Sequence, residues 1–183
     1  MIDDRKVGTA KLDYNGKVLE YPVYEGTEGE RAVDIRKLRQ DTGLITYDPG
    51  FVNTGTCEST ITFLDGDKGV LRYRGYSIDE LAEKCEFVEV AYLLIHGKLP
   101  NPTERKQYSE LLNSHSLLPE DMIAFFRNYP ETSHPMAVCS AMVVSLSSFY
   151  PELADKEEER AMASTRLLSK LRTMAAFAYK KSV

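Results

Sequence analysis

The chain has 183 residues, 43% hydrophobic and 28% charged, with a formal net charge of −5 and a pI near 5.3. That is enough apolar material for one sizeable core, or a core with a small satellite domain. The balance is acidic with no basic block, so nucleic acid is not an expected partner, and no apolar run is long enough for a membrane-spanning helix. The amino terminus, MIDDRKVGTAKLDY, lacks the apolar core of a signal peptide. Cys57, Cys85 and Cys139 are far apart and odd in number. They read as reduced thiols of a cytoplasmic protein rather than a disulfide framework.

In chain order, residues 8–24 predict a hairpin turning on Asn15-Gly16, a pair that accepts positive φ at both positions. Turn residues crowd 25–60, with a short helix expected at 31–38. Residues 61–64 and 70–73 read as a second hairpin around DGDKG at 65–69. After Gly75 the pattern becomes helical. Ser77 followed by Glu80 predicts a capping box. Residues 87–96 form an apolar helical run stopped by Gly97. Asn101-Pro102 with Glu104 begins a helix that reaches about Ser114, and Leu118-Pro119 begins another, to about Asn128. Residues 135–149 (PMAVCSAMVVSLSSF) are apolar on almost every side, as in a helix at the middle of a bundle. Residues 155–181 start acidic and end basic, in keeping with the helix dipole, with a break expected near 170–173. The organisation is a β-rich amino-terminal piece followed by a helical array. The chain ends on an apolar helical stretch with no turn signal, and the 135–149 helix expects neighbours on several sides. Both features point to further chain beyond Val183.

The candidate chemistry is sparse. DGDKG resembles a ligand loop, but numbered from Asp65 its closing calcium ligand falls on Tyr76, and no Walker sequence is present. It reads as a turn. His96 and His115 stand at expected helix ends. His134 precedes Pro135, where it either caps a helix or lines a cleft. No pair of histidines has metal-ligand spacing, so no metal site is expected. Nucleophile motifs are absent, and Cys139 reads as a buried, inert thiol. One pair stands out: Arg166 and Lys170 are four residues apart, so they share a helical face. With Ser169 beside them they either hold a phosphate or form a solvated face.

The run YDPGFVNTGTCESTITFLDGDKGVLRYRGYSIDELAEKCEFVEVAYLLIHGKLP, residues 47–100, resembles citrate synthase, most closely the bacterial form with an extra amino-terminal β-domain. SHPMAV at 133–138 and RLLSKLRTMAAFAYK at 166–180 continue the match in order, so the resemblance covers about residues 34–180. It implies a mainly α fold, the helical array of the citrate synthase large domain preceded by a small β-rich domain. The boundaries it implies are a β-rich domain at 1–60, then a hairpin and the first helices of an incomplete large domain at 61–183. It also implies condensation of acetyl-coenzyme A with oxaloacetate to citrate, at the entry to the tricarboxylic acid cycle, by a homo-oligomer, a dimer or a hexamer.

In that family an aspartate removes a methyl proton, histidines stabilise the enol and polarise the ketone, and arginines bind carboxylates. All lie in the second half, so no catalytic residue is expected in this chain. The expectations that follow are an inactive segment, a missing carboxyl-terminal half as partner, and no cofactor beyond the acetyl-coenzyme A substrate. The bacterial form is often inhibited by NADH. The resemblance puts that allosteric site on His115, Ser116, Tyr150, Arg166 and Lys170. Ser114 stands where inhibited members carry arginine, a loss worth about 1–3 kcal/mol if that cation made a charge-assisted bond. Arg172 replaces a family proline. A 2-methylcitrate synthase, a stand-alone regulatory module and a subunit of a split enzyme are the alternative readings.

Overall fold

A computed structural model describes residues 2–150 and 157–181. The chain divides into two units, Met1–Ser59 and Thr60–Val183. Among the described residues no helix is long and apolar enough to cross a membrane.

The first unit is built on a three-stranded antiparallel sheet of β1 (Lys6–Tyr14), β2 (Lys17–Glu25) and β3 (Arg31–Val33). Asn15 and Gly16 take φ of 52° and 75°, which gives the tight β1–β2 turn the sequence predicts. The helix expected at 31–38 is not there. Arg31–Val33 instead pairs with Val23–Glu25 of β2, and α1 covers only Leu38–Thr42. The open edge of a sheet offers these residues backbone partners that outweigh a weak local helix preference. Tyr21 and Leu38 are the buried apolar side chains among the described residues of this unit.

The second unit opens with the sheet β4 (Thr62–Asp65), β5 (Val70–Tyr73) and β6 (Tyr76–Ser77). DGDKG is its first turn. Asp65 accepts from the Lys68 N–H at 3.0 Å and pairs with the Lys68 ammonium at 3.0 Å. Those contacts hold the Asp65 carboxyl below the usual carboxylate range. The loop's acidic group is therefore engaged within the turn. At the second turn Arg74 takes φ 51°. Its guanidinium donates to Thr60 Oγ1 and to the Leu94 carbonyl, both at 2.9 Å, which ties the turn to the end of a later helix.

Among the described residues six helices follow: α2 (Ile78–Lys84), α3 (Phe87–His96), α4 (Pro102–Ser114), α5 (Glu120–Asn128), α6 (Pro135–Phe149) and α7 (Glu157–Lys181). Ser77 is the N-cap of α2, but the predicted box with Glu80 does not form. The Ser77 hydroxyl points instead to Asp79, 3.4 Å away. The box at α4 does form, between Asn101 and Glu104 at 2.8 and 2.9 Å. His134 caps α6: its Nδ1 accepts from the Met136 N–H at 3.2 Å. Residue 155 lies outside the described residues. The break expected near 170–173 is absent, and α7 runs unbroken. Arg172 keeps the backbone N–H that a proline would lack and brings no ring to clash with the preceding turn.

Two apolar clusters hold the array together. Met122, Phe126, Val138, Met142, Leu146, Met174 and Ala178 join α5, α6 and α7. Ala91, Tyr108 and Leu112 join α3 and α4, with Leu168 of α7 packed against them. α7 thus belongs to both. Within this chain α6 is buried along one side. Val138, Met142 and Leu146 face inward at four-residue spacing, whereas Met136 and Val144 are 65% and 72% exposed. Among the described residues, α5 and α7 are the helices packed against its buried face. Met142→Ala is expected to destabilise the fold by about 2–5 kcal/mol through the cavity it leaves. Val144→Ala, on the open face, should stay within about 0.5 kcal/mol. Urea denaturation followed by circular dichroism measures both.

Candidate functional site

The sequence singled out the end of α4 and the middle of α7, and the structure brings them together. A helix end leaves its last carbonyls without internal partners. α4 ends at Ser114, and the carbonyls around that end are met by side chains from α7. Ser169 Oγ donates to the Leu112 carbonyl. Lys170 Nζ donates to the His115 carbonyl at 2.9 Å and to that of Leu117. Thr173 Oγ1 donates to the Ser116 carbonyl at 2.9 Å. Arg172 Nη2 adds a bond to Asn113 Oδ1 at 2.9 Å. Ser169, Lys170 and Thr173 recur at helical spacing, so an unbroken α7 presents them on one face.

Of the five residues the resemblance assigned, His115 is the C-cap of α4 and Ser116 follows it. The Ser116 hydroxyl turns back to the Asn113 carbonyl at 2.8 Å. Tyr150 closes α6, its N–H bonded to Leu146 O. The Arg166 guanidinium carbon stands over the Tyr150 ring at 4.7 Å, and Lys170 Nζ lies 5.5 Å from the same centroid. Such distances are within cation–π range. The two cations are not equivalent. Lys170 is 3% exposed, and its ammonium is occupied by two carbonyls and a ring. It is neither the solvated cation nor the free phosphate ligand that the spacing left open. Arg166 is half-buried and has no carboxylate partner among the described residues. It is the cation of the group with donors to spare. Ser114, which the resemblance sets against an arginine, spends its hydroxyl on the Leu111 carbonyl at 2.8 Å.

The sequence reading passed over Thr173 and weighed Ser169 only as a companion to the cations. Two hydroxyls four residues apart beside a lysine were the available signal. Of the remaining histidines, His134 caps α6, and His96 lies against Tyr92 with centroids 4.1 Å apart. Cys139 packs half-buried against the α5–α6–α7 cluster. No group of three or more His, Cys, Asp or Glu side chains among the described residues could hold a metal ion.

The family profile described as "Citrate synthase, C-terminal domain" matches residues 50–183. The chain belongs to the citrate synthase family. Three solved citrate synthases share its fold. That from the archaeon Thermoplasma acidophilum, a ternary complex with carboxymethyl coenzyme A and oxaloacetate, superposes with a TM-score of 0.70 at 22% identity, over 75% of this chain and 36% of its own. The Thermotoga maritima enzyme gives 0.64 at 29% identity, over 75% and 35%. That of Pyrobaculum aerophilum gives 0.62 at 24% identity, over 96% and 41%. The chain therefore spans about two-fifths or less of the citrate synthases it matches.

Replacing the buried lysine should show that its role is structural. Lys170→Met leaves the His115 and Leu117 carbonyls without a donor and is expected to cost about 1–3 kcal/mol. Lys180→Met, exposed on the same helix, should change stability by less than about 0.5 kcal/mol. Lys170→Arg should not restore the loss, because a planar fork does not fit a site shaped for a compact ammonium. Denaturant titration of the three variants reads the difference.

Proposed function

We propose that the chain forms the amino-terminal part of a citrate synthase, the enzyme that condenses acetyl-coenzyme A with oxaloacetate and water to citrate and free coenzyme A. The observation that carries the reading is the family match over residues 50–183 on a helical unit of the same fold. The Thermoplasma relative, in complex with oxaloacetate and a coenzyme A analogue, supports the substrate class. Condensation needs a base for a weakly acidic methyl group and donors aimed at the developing enolate oxygen. On this reading those groups belong to the portion of the relatives that has no counterpart here. The separate capping and packing roles of His96, His115 and His134 agree with it.

The group at the α4 end is the proposed regulatory site for a dinucleotide such as NADH. Arg166 supplies the charge for a phosphate and the Tyr150 ring a stacking surface. His115 and Ser116 form the rim, and Lys170 positions them through their backbone. The absence of a cation at Ser114 predicts weak binding.

Two measurements test the proposal. The purified chain should release no free thiol from acetyl-coenzyme A with oxaloacetate. A polypeptide in which it is continued by the carboxyl-terminal segment of the Thermotoga relative should. Turnover by the chain alone would refute the placement of the catalytic groups. For the regulatory site, calorimetry with NADH should show saturable binding that Arg166→Ala weakens about tenfold or more, as for a lost charge-assisted bond. An absence of heat at about millimolar NADH would remove the site.

A further inference from the structure

A second concavity lies away from the α4 end. α3, α4 and the first turns of α7 enclose a cleft of about 410 Å³, within the range of small-molecule sites. One wall is aromatic. Tyr92 and His96 lie 4.1 Å apart, and Tyr108 meets them edge-on at 5.4 and 5.8 Å. Leu111 and Met162 extend the apolar lining. Tyr108 is 6% exposed, and its hydroxyl is shut off from solvent without a hydrogen-bond partner among the described residues. Burial pushes that phenol up. The Tyr108 hydroxyl is thus out of water, whereas Tyr92 is half-buried and His96 exposed.

The polar lining is one-sided in charge. Two carboxylates, Glu104 and Glu158, belong to it, and no lysine or arginine does. Glu104 is already matched: Lys98 Nζ lies 2.8 Å from one oxygen, and the other accepts from the Asn101 N–H at 2.8 Å. Glu158, exposed at the mouth, makes no ion pair among the described residues. An apolar aromatic cleft with one carboxylate outside any ion pair favours a cation, although the first turn of α7 offsets part of that charge. Ring faces carry negative potential and attract cations, the carboxylate does the same, and an anion meets repulsion from both.

We propose that this cleft binds a small organic cation, its apolar or aryl body against Tyr92, His96 and Tyr108 and its ammonium beside Glu158. The site shares no residue with the His115–Lys170 group and does not depend on the condensation reading, so either can fail without the other.

Calorimetry with three probes of one size tests it: phenethylammonium, phenethyl alcohol and 3-phenylpropionate. The cation is expected to bind about tenfold more tightly than the alcohol, the combined effect of an exposed ion pair and a cation–π contact. The carboxylate should give no saturable heat. Glu158→Gln changes an exposed side chain and leaves the fold alone. It should bring the cation to the affinity of the alcohol. Ala161→Trp, which places a large ring in the cleft from an exposed position of α7, should abolish binding of both with the thermal melt unchanged. Equal affinities for cation and alcohol, a preference that survives Glu158→Gln, binding that survives Ala161→Trp, or no saturable binding of any probe would each overturn the proposal.

Discussion

The second unit depends on one interaction, the capping of the α4 end by the middle of α7. A lysine that is 3% exposed is costly to bury unless its protons are used. Here they go to the carbonyls of His115 and Leu117, and the charge stands near the Tyr150 ring. The same contact joins the two apolar clusters. Leu168 packs with α3 and α4, whereas Met174 and Ala178 pack with α5 and α6. A break at residues 170–173 would have rotated Thr173 and Met174 away from the face that carries Leu168 and Ser169. With arginine at 172 the helix stays whole, and that arginine reaches Asn113 at the same end of α4.

This arrangement divides the work between two cations that the sequence spacing treats alike. Both share a helical face and both approach Tyr150, but backbone carbonyls surround only Lys170. It acts on any ligand indirectly, by holding the turn at His115 and Ser116. Arg166, one turn earlier, keeps its donors. An anionic ligand at this site would therefore meet one cation where spacing alone offered two, and the serine at 114 does not make up the difference because its hydroxyl is bonded to Leu111.

Much of the local structure was legible because short-range chemistry decides it. Asn15-Gly16 accepts positive φ at both positions, Asn101 and Glu104 satisfy each other's backbone donors, and Gly97 ends α3 with φ 80°. The DGDKG segment likewise closes on itself through Asp65 and Lys68. The misreadings arise where a competing partner decides, near or far in the chain. Arg31–Val33 became a strand because β2 offers an edge. Ser77 turned to Asp79 although a glutamate stood at the usual box position.

The sequence by itself determined the family, through the long specific run around residues 47–100. It also determined most helix limits, since caps, glycines and prolines act within a few residues of where they stand. It could name the five residues of the proposed regulatory site only by resemblance. Which of them carries a free charge was decided by tertiary structure, because the donors of Lys170 are taken by carbonyls more than fifty residues earlier in the chain. The cleft with Glu158 at its mouth was likewise invisible in the sequence. Its lining comes from α3, α4 and α7, which are distant in the chain and meet only in the folded unit.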